Sequence, residues 1–377
     1  MSGLSWMFWL SVAGVFYPYF GYPVLLWLIR ALRGGGRPAP AAAELPTVSM
    51  IVPVHNEQSR IAAKLENTAE LTYPADRLQI LFVSDGSTDR TVEMIRARAL
   101  PGASIIELPG RGGKAAALNA GLAAARHDVL VFTDASIRLG ADSLTRLVSQ
   151  FATPDIGCIS GEDPIVGGGG EALYGRYELM LRRLESQVHS IVGASGSFYA
   201  QRRALCQPFT EGMAPDFLSV LRTVAQGSRA VSEPGAVGTM TSVKDPREEF
   251  ERKVRTVLRG MTTLFGHAAL LNPFGAGVFA FELWSHKVMR WLAPVFMVGA
   301  LAASLLLASH PFYAAAAAGQ VLFYALALGA DRKWGGLHTT LPGRIALYFT
   351  SVNLGILLAW WRYVSGVRQE IWTPSTR

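Results

Sequence analysis

The stretch LSWMFWLSVAGVFYPYFGYPVLLWLI, residues 4–29, contains no charged side chain. It runs past the roughly 20 apolar residues that cross a bilayer, and it predicts an N-terminal transmembrane helix over residues 1–30. A secretory leader would begin with basic residues and end at a small-residue cleavage site. Here Arg30, Arg33 and Arg37 follow the apolar run instead. Positive charge on that flank places the next domain in the cytoplasm. Three further apolar segments, 288–308, 311–330 and 343–361, predict about three more transmembrane helices within 288–364. The chain is therefore expected to cross a membrane several times, with its middle domain cytoplasmic.

Half of the residues are apolar (50%), and they gather at the two ends of the chain. The middle, residues 47–247, is charged throughout and reads as a water-soluble domain behind a Pro- and Ala-rich linker, 31–46. Residues 248–287 mix basic and large apolar side chains and are broken at Asn272 and Pro273. They predict amphipathic helices lying on the cytoplasmic interface. For the tail, 365–377, two rules conflict. Four crossings put it on the far face, whereas Arg362, Arg368 and Arg377 favour the near one.

The net charge of +7 sits largely beside the apolar segments, as in RALRGGGR and ERKVRTVLRG. That placement suits an anionic lipid surface and gives no case for nucleic acid. The two cysteines, Cys158 and Cys206, form neither a ligand pattern nor a disulfide framework, in keeping with a reducing compartment. The seven histidines include no H-x-x-x-H pair that would suggest zinc.

In the middle domain, Val- and Ile-rich runs at 47–54, 77–85, 104–109, 128–134 and 156–162 alternate with helical stretches at 58–71, 88–99, 114–125 and 142–151. Such alternation predicts an α/β domain with a mainly parallel sheet covered on both faces. Ligands of these sheets bind beyond the carboxyl ends of the strands. The polar signals HNE, SDGSTD and TDAS all stand there.

Taken singly, the motifs leave two readings open. In VSDGSTDRT, Ser87 or Thr88 could cap a helix, while Asp85 could meet a base or ribose. GRGGKAAALNAGL lacks the first Gly and the final Ser or Thr of a P-loop, but it presents Lys114 at a helix start where a diphosphate can bind. GASGS lacks the last Gly of a nucleophile elbow. Asp216 is either a helix N-terminal carboxylate or a general base. Arg252 and Arg255 share a helical face that would suit either a membrane or a diphosphate.

The order VPVHNE, VSDGSTD, GKAAALNAGL, FTDAS, GASGSFYAQR, PDF and RKVR resembles the family 2 glycosyltransferases. The likeness is to their membrane-integrated branch, with the cellulose, chitin, hyaluronan and poly-N-acetylglucosamine synthases. It covers about Thr47 to Arg259. The resemblance implies a GT-A (nucleotide-diphospho-sugar transferase) fold and inverting transfer from a nucleotide sugar, most often a UDP-sugar. By position, Pro53, Asn56, Glu57 and Asp85 would line the nucleotide pocket, and Lys114 would lie near uridine and phosphates. Asp134 would bind Mg2+ or Mn2+, Asp216 would act as base, and Arg252 with Arg255 would hold the leaving group.

Three departures shape the expectation. The D-x-D motif ends in Ser136, the T-E-D motif keeps only Asp216, and the Trp of Q-x-x-R-W is Thr256. Without that Trp, transfer of one or a few sugars to a lipid-linked or glycan acceptor in envelope or exopolysaccharide synthesis is preferred. Polysaccharide export proteins are then possible partners. The alternatives are a processive synthase secreting its own polymer and a non-catalytic membrane scaffold.

Overall fold

The computed structural model describes residues 2–32, 44–166, 170–241 and 246–368. Arg33 and Arg37, most of the expected linker, and the tail from 369 with Arg377 lie outside the described residues. The Val- and Ile-rich runs form β1 (Val48–Val54), β2 (Leu78–Ser84), β3 (Ala103–Glu107), β4 (Val129–Thr133) and, beyond the two-residue β5 (Arg138–Leu139), β6 (Ile156–Glu162). Residues the sequence reading did not assign supply β7 (Ile165–Val166), β8 (Phe198–Arg202) and β9 (Arg229–Thr241). Among the described residues the strand order is β3-β2-β1-β4-β8-β6-β9-β5, with β7 also on β9. The sheet is mostly parallel, but β8 runs antiparallel between β4 and β6.

Strand alternation separates two cores. Val48, Met50 and Val52 of β1 face the helices Ile61–Ala69 and Ser143–Ser149 through Ile61, Leu65 and Leu144. On the other face, Ile51 joins Leu118, Leu218 and Leu258, from the helices Gly113–Ala124, Pro215–Ala225 and Pro246–Gly266. This second core continues into Phe279, Trp291 and Ile356 of the apolar helices. Helix Pro246–Gly266 explains the continuity. Its Val254, Leu258, Met261 and Leu264 are fully buried, a three-to-four residue repeat that makes one apolar stripe.

Four helices are long and apolar enough to cross a membrane: Gly3–Leu32, Val278–Leu306, Pro311–Asp331 and Leu341–Val364. The second begins ten residues before the apolar segment from 288, because its polar residues Glu282, Ser285, His286 and Arg290 are buried against protein. The first two spans approach closely at Gly14, where an added Cβ would stand 2.5 Å from the Phe296 ring. Each of these two spans also holds one wide π turn, Tyr17–Gly21 and Trp284–Val288. The turns meet where the Tyr17 hydroxyl lies 2.7 Å from Ser285 Oγ.

Helix Gly170–Val188 fastens the soluble domain to these spans. His286 bridges two of its carboxylates, with Nδ1 2.6 Å from Glu185 Oε1 and Nε2 3.2 Å from Glu178 Oε2. Tyr22 of the first span donates to Glu185 Oε1 at 2.9 Å, and Arg290 donates to Glu178 and to the Tyr174 hydroxyl. Burial alone would raise the Glu178 carboxyl. The Arg290 guanidinium and His286 outweigh it and hold Glu178 well below the usual carboxylate range.

Removing one member of a buried charge network costs about 3–5 kcal/mol. Glu185→Ala should therefore lower the thermal midpoint of the purified protein strongly, with Glu185→Gln, which keeps an acceptor, losing less. For Glu178 the native state binds fewer protons than the unfolded chain. Its contribution is complete above the ordinary glutamate value of 4.5 and is lost as pH falls through the folded value. Melting curves recorded through acidification should fall more steeply for the natural chain than for Glu178→Gln.

Candidate active site

The carboxyl ends of β1, β2 and β4 deliver most of the motif residues to one edge of the sheet. β1 pairs with β4 only over Val48–Ile51, so Pro53 stands beyond that ladder, where its missing N–H leaves no β4 partner wanting. Pro53 lines a narrow crevice with Lys114, Thr133, Asp134, Gly196 and Asp216. Inside it Lys114 Nζ donates to Asp134 Oδ1 at 2.6 Å and to the Gly196 carbonyl at 3.2 Å. Gly196 in turn adjoins Asp216; a Cβ placed on it would lie 3.7 Å from Asp216 Oδ2. One lysine thus ties the end of β4 to the Gly196 turn, which adjoins the candidate base.

The neighbouring loops are held by backbone contacts. Both oxygens of buried Asp85 accept from amides at the start of helix Gly113–Ala124, Oδ1 from Gly112 at 2.7 Å and Oδ2 from Gly113 at 2.9 Å. Gly86 follows with φ +61°, and a Cβ there would come within 2.7 Å of the Gly110 carbonyl carbon, so the turn requires glycine. Asn56, at φ 51°, accepts from the Thr88 amide at 2.8 Å and locks the β1 loop to the β2 loop. Glu57 is buried, with its carboxylate 3.3 Å from Arg60 Nε. Burial raises the Glu57 carboxyl, Arg60 opposes this, and Asp134 adds to the rise, so the two acids share one electrostatic field.

A larger cavity of about 430 Å3 opens on the other side of Asp216. The soluble domain, helix Pro246–Gly266 and the spans enclose it together. Arg252 lines it; Arg255 does not, and instead neighbours Arg259. The two arginines expected to act together therefore point to different surroundings. Arg259, which the sequence reading passed over, donates to the Met213 carbonyl at 2.6 Å. Burial pushes its guanidinium below the usual range, with Asp216 opposing. Its signal was its position one turn beyond Arg255 on the same helix.

Lys64 was missed as well. It is 2% exposed and lies beneath the Asp134 loop, donating to Thr133 Oγ1 at 3.0 Å and to the Ile137 carbonyl at 3.1 Å. Burial pushes its ammonium down to about 7, with Asp134 acting in the opposite direction. Asn67, one turn along, exchanges hydrogen bonds with Leu139, at 2.7 Å to its carbonyl and 2.8 Å from its amide. The turn carrying Asp134 and Ser136 is therefore clamped from below at both ends.

Among the described residues, no three His, Cys, Asp or Glu side chains gather as a metal cage. A divalent cation that arrives with a nucleotide needs only one or two protein carboxylates, because phosphates and water complete its shell. Asp134, partly exposed at the crevice, meets that requirement.

Residues 49–207 match the family model described as Glycosyl transferase family 2. YdaM, a probable glycosyltransferase of Bacillus subtilis (strain 168), is 39% identical over 97 residues, 24% of this chain and 23% of that protein. A beta-monoglucosyldiacylglycerol synthase of Synechocystis sp. (strain ATCC 27184 / PCC 6803 / Kazusa) is 33% identical over 119 residues, 30% and 25% of the two chains. The matches thus span about a quarter of the length of these curated relatives. The solved structure of the mannosyltransferase PcManGT from Pyrobaculum calidifontis, in complex with GDP-Man and Mn2+, superposes with TM-score 0.74 and 25% identity. That match covers 96% of this chain and 99% of the other. Residues 49–207 thus match family 2 glycosyltransferases, in a chain of GT-A fold that also carries long apolar helices.

Stripping the clamp tests its purpose. Lys64→Met strands the Ile137 carbonyl, at a cost of about 1–3 kcal/mol for a buried unsatisfied group. Hydrogen exchange should then accelerate within residues 133–139 while the β1 and β2 amides keep their protection. Uniform acceleration across the sheet would show that Lys64 serves the whole core.

Proposed function

We propose that the chain is an inverting glycosyltransferase that moves a sugar from a nucleoside-diphosphate donor to a lipid-linked acceptor at the membrane surface. One observation carries the reading: Asp216 lines both the Lys114–Asp134 crevice and the cavity bounded by the spans. A donor lying along the mouth of the first and an acceptor in the second would meet at that carboxylate. Asp216 takes the proton of an acceptor hydroxyl, and the oxygen attacks the anomeric carbon. The bond from that carbon to the diphosphate breaks on the opposite face, inverting the centre. The departing negative charge falls to Lys114, which lines the crevice, and to Arg252, which lines the cavity on the other side of Asp216. A Mg2+ or Mn2+ ion held by Asp134 and the donor phosphates would supply further neutralisation. Pro53, Asn56, Glu57 and Asp85 shape the nucleotide wall, the last through the Gly112–Gly113 amides.

A lipid acceptor is supported by the helices that enclose the cavity, and by the Synechocystis relative, whose name makes it the synthase of a glucosylated diacylglycerol. Thr256 in place of the synthases' Trp supports transfer of one or a few sugars. Arg30 at the end of the first span supports a cytoplasmic catalytic domain, in a bacterial inner membrane. The family resemblance favours a UDP-sugar, whereas PcManGT is solved with GDP-Man, so both bases belong in the assay.

Purified chain incubated with UDP- and GDP-sugars, Mg2+ or Mn2+ and membrane lipid extract should label a lipid-extractable product with one donor. Asp216→Asn should lower that transfer about 10²–10⁴-fold, and unchanged transfer would remove Asp216 from the mechanism. Product lengthening into a polymer would instead establish the processive synthase.

A further inference from the structure

The cavity beneath Asp216 has more positive than negative side chains, and its charges are unevenly satisfied. Arg182, Arg252, Lys253, Lys287 and Arg290 face it against Asp163, Glu178 and Asp216. Most of these are engaged. Arg290 is taken by Glu178, and Lys253 pairs with Glu249 at 2.5 Å while lying 4.2 Å over the Tyr348 ring. Asp216 is reserved for the acceptor proton.

Two cations remain poorly matched. Arg182 stands 3.7 Å from Asp163, and its buried Nη1 makes no hydrogen bond. Lys287 makes no hydrogen bond or ion pair among the described residues; its contact is the Phe217 ring, 5.3 Å away. Phe217 directly follows Asp216 in the chain, so Lys287 abuts the helix that carries the candidate base. Gly193 lies against Lys287, where an added Cβ would stand 3.6 Å from Nζ, in ordinary contact.

The backbone around Lys287 is specialised too. The π turn Trp284–Val288 carries His286 and Lys287, both of which line the cavity. Its counterpart in the first span, Tyr17–Gly21, carries Tyr19, which lines it as well. Wide turns of this kind are frequent at functional sites. His286 is consumed by the two glutamates, whereas Lys287 is presented to the cavity. A lysine in an apolar helix without a partner is costly unless a ligand supplies the opposite charge.

We propose that Lys287, with Arg182, receives a phosphate group on the acceptor lipid, beside the hydroxyl that Asp216 deprotonates. This rests on the lipid-acceptor reading above and narrows it to phosphate-bearing lipids. An ammonium with three rotatable donors suits a phosphate as a point charge, and the guanidinium adds a planar pair of donors. The acceptor would therefore lie in the cavity with its phosphate toward the second span and its hydroxyl toward the crevice.

The test uses full-length protein in phosphatidylcholine vesicles doped with a matched pair of acceptors that both keep a free hydroxyl, phosphatidylglycerol against diacylglycerol. The natural chain should use phosphatidylglycerol about tenfold better than diacylglycerol in kcat/KM, the scale of a hydrogen bond to a charged group. Lys287→Met should erase that preference chiefly through KM for the lipid, and Lys287→Arg should keep most of it. Equal use of both members by the natural chain, or a preference that survives Lys287→Met, overturns the proposal while leaving the lipid-acceptor reading in place. Transfer to soluble glycan fragments but to none of the lipids overturns both. Inorganic phosphate that restores use of the neutral member would assign the site to a free anion and overturn the lipid headgroup.

Discussion

The buried link from Glu185 through His286 to Glu178 is the contact on which the arrangement of this molecule turns. It joins helix Gly170–Val188 of the soluble domain to the second span, and Tyr22 adds the first span through the same Glu185 oxygen. Groups of this kind find no water once buried, so each must satisfy the others, and small displacements are costly. Their value lies less in raw stability than in fixing one docking geometry, because a purely apolar contact would tolerate sliding. With the helices locked, the joined Glu178 and Arg290 line, together with Arg182 and Lys287, a cavity that also reaches Asp216.

The Lys114–Asp134 side is built by different physics. There the strand ends stop, and loops are pinned by short side-chain-to-backbone hydrogen bonds from Asn56, Asp85 and Asn67. Ser136, where a second carboxylate would complete D-x-D, sits in a turn held by Lys64 beneath it. A buried cation under the turn and one acid on top leave the crevice with little surplus negative charge. A cation that comes with a diphosphate is better matched to such a site than one stored in advance.

Much of the fold was legible because it rests on local periodicity. Five Val- and Ile-rich runs became β1, β2, β3, β4 and β6 within a residue or two. β8 and β9 escaped for physical reasons: β8 follows directly on the small-residue GASGS turn, and β9 contains Pro234, Gly235 and Gly238, which read as breakers. Polar residues at strand ends were likewise visible as Asp85, Asp134 and Asn56. Lys64, Arg182, Arg259 and Lys287 were not, since each lies on a helix where a basic residue has an ordinary surface explanation.

By itself, the sequence determined which segments are strands, which helices are apolar enough to span a membrane, and which acids end the strands. Those properties depend on neighbours a few residues away, through side-chain period and hydropathy. Only the tertiary structure decided that Asp216 is shared by a crevice and a cavity, that Arg252 and Arg255 part company, and that polar residues early in the second span are internal. These depend on contacts between residues about a hundred positions apart, as between Glu185 and His286, where burial and charge are set by what the fold brings together.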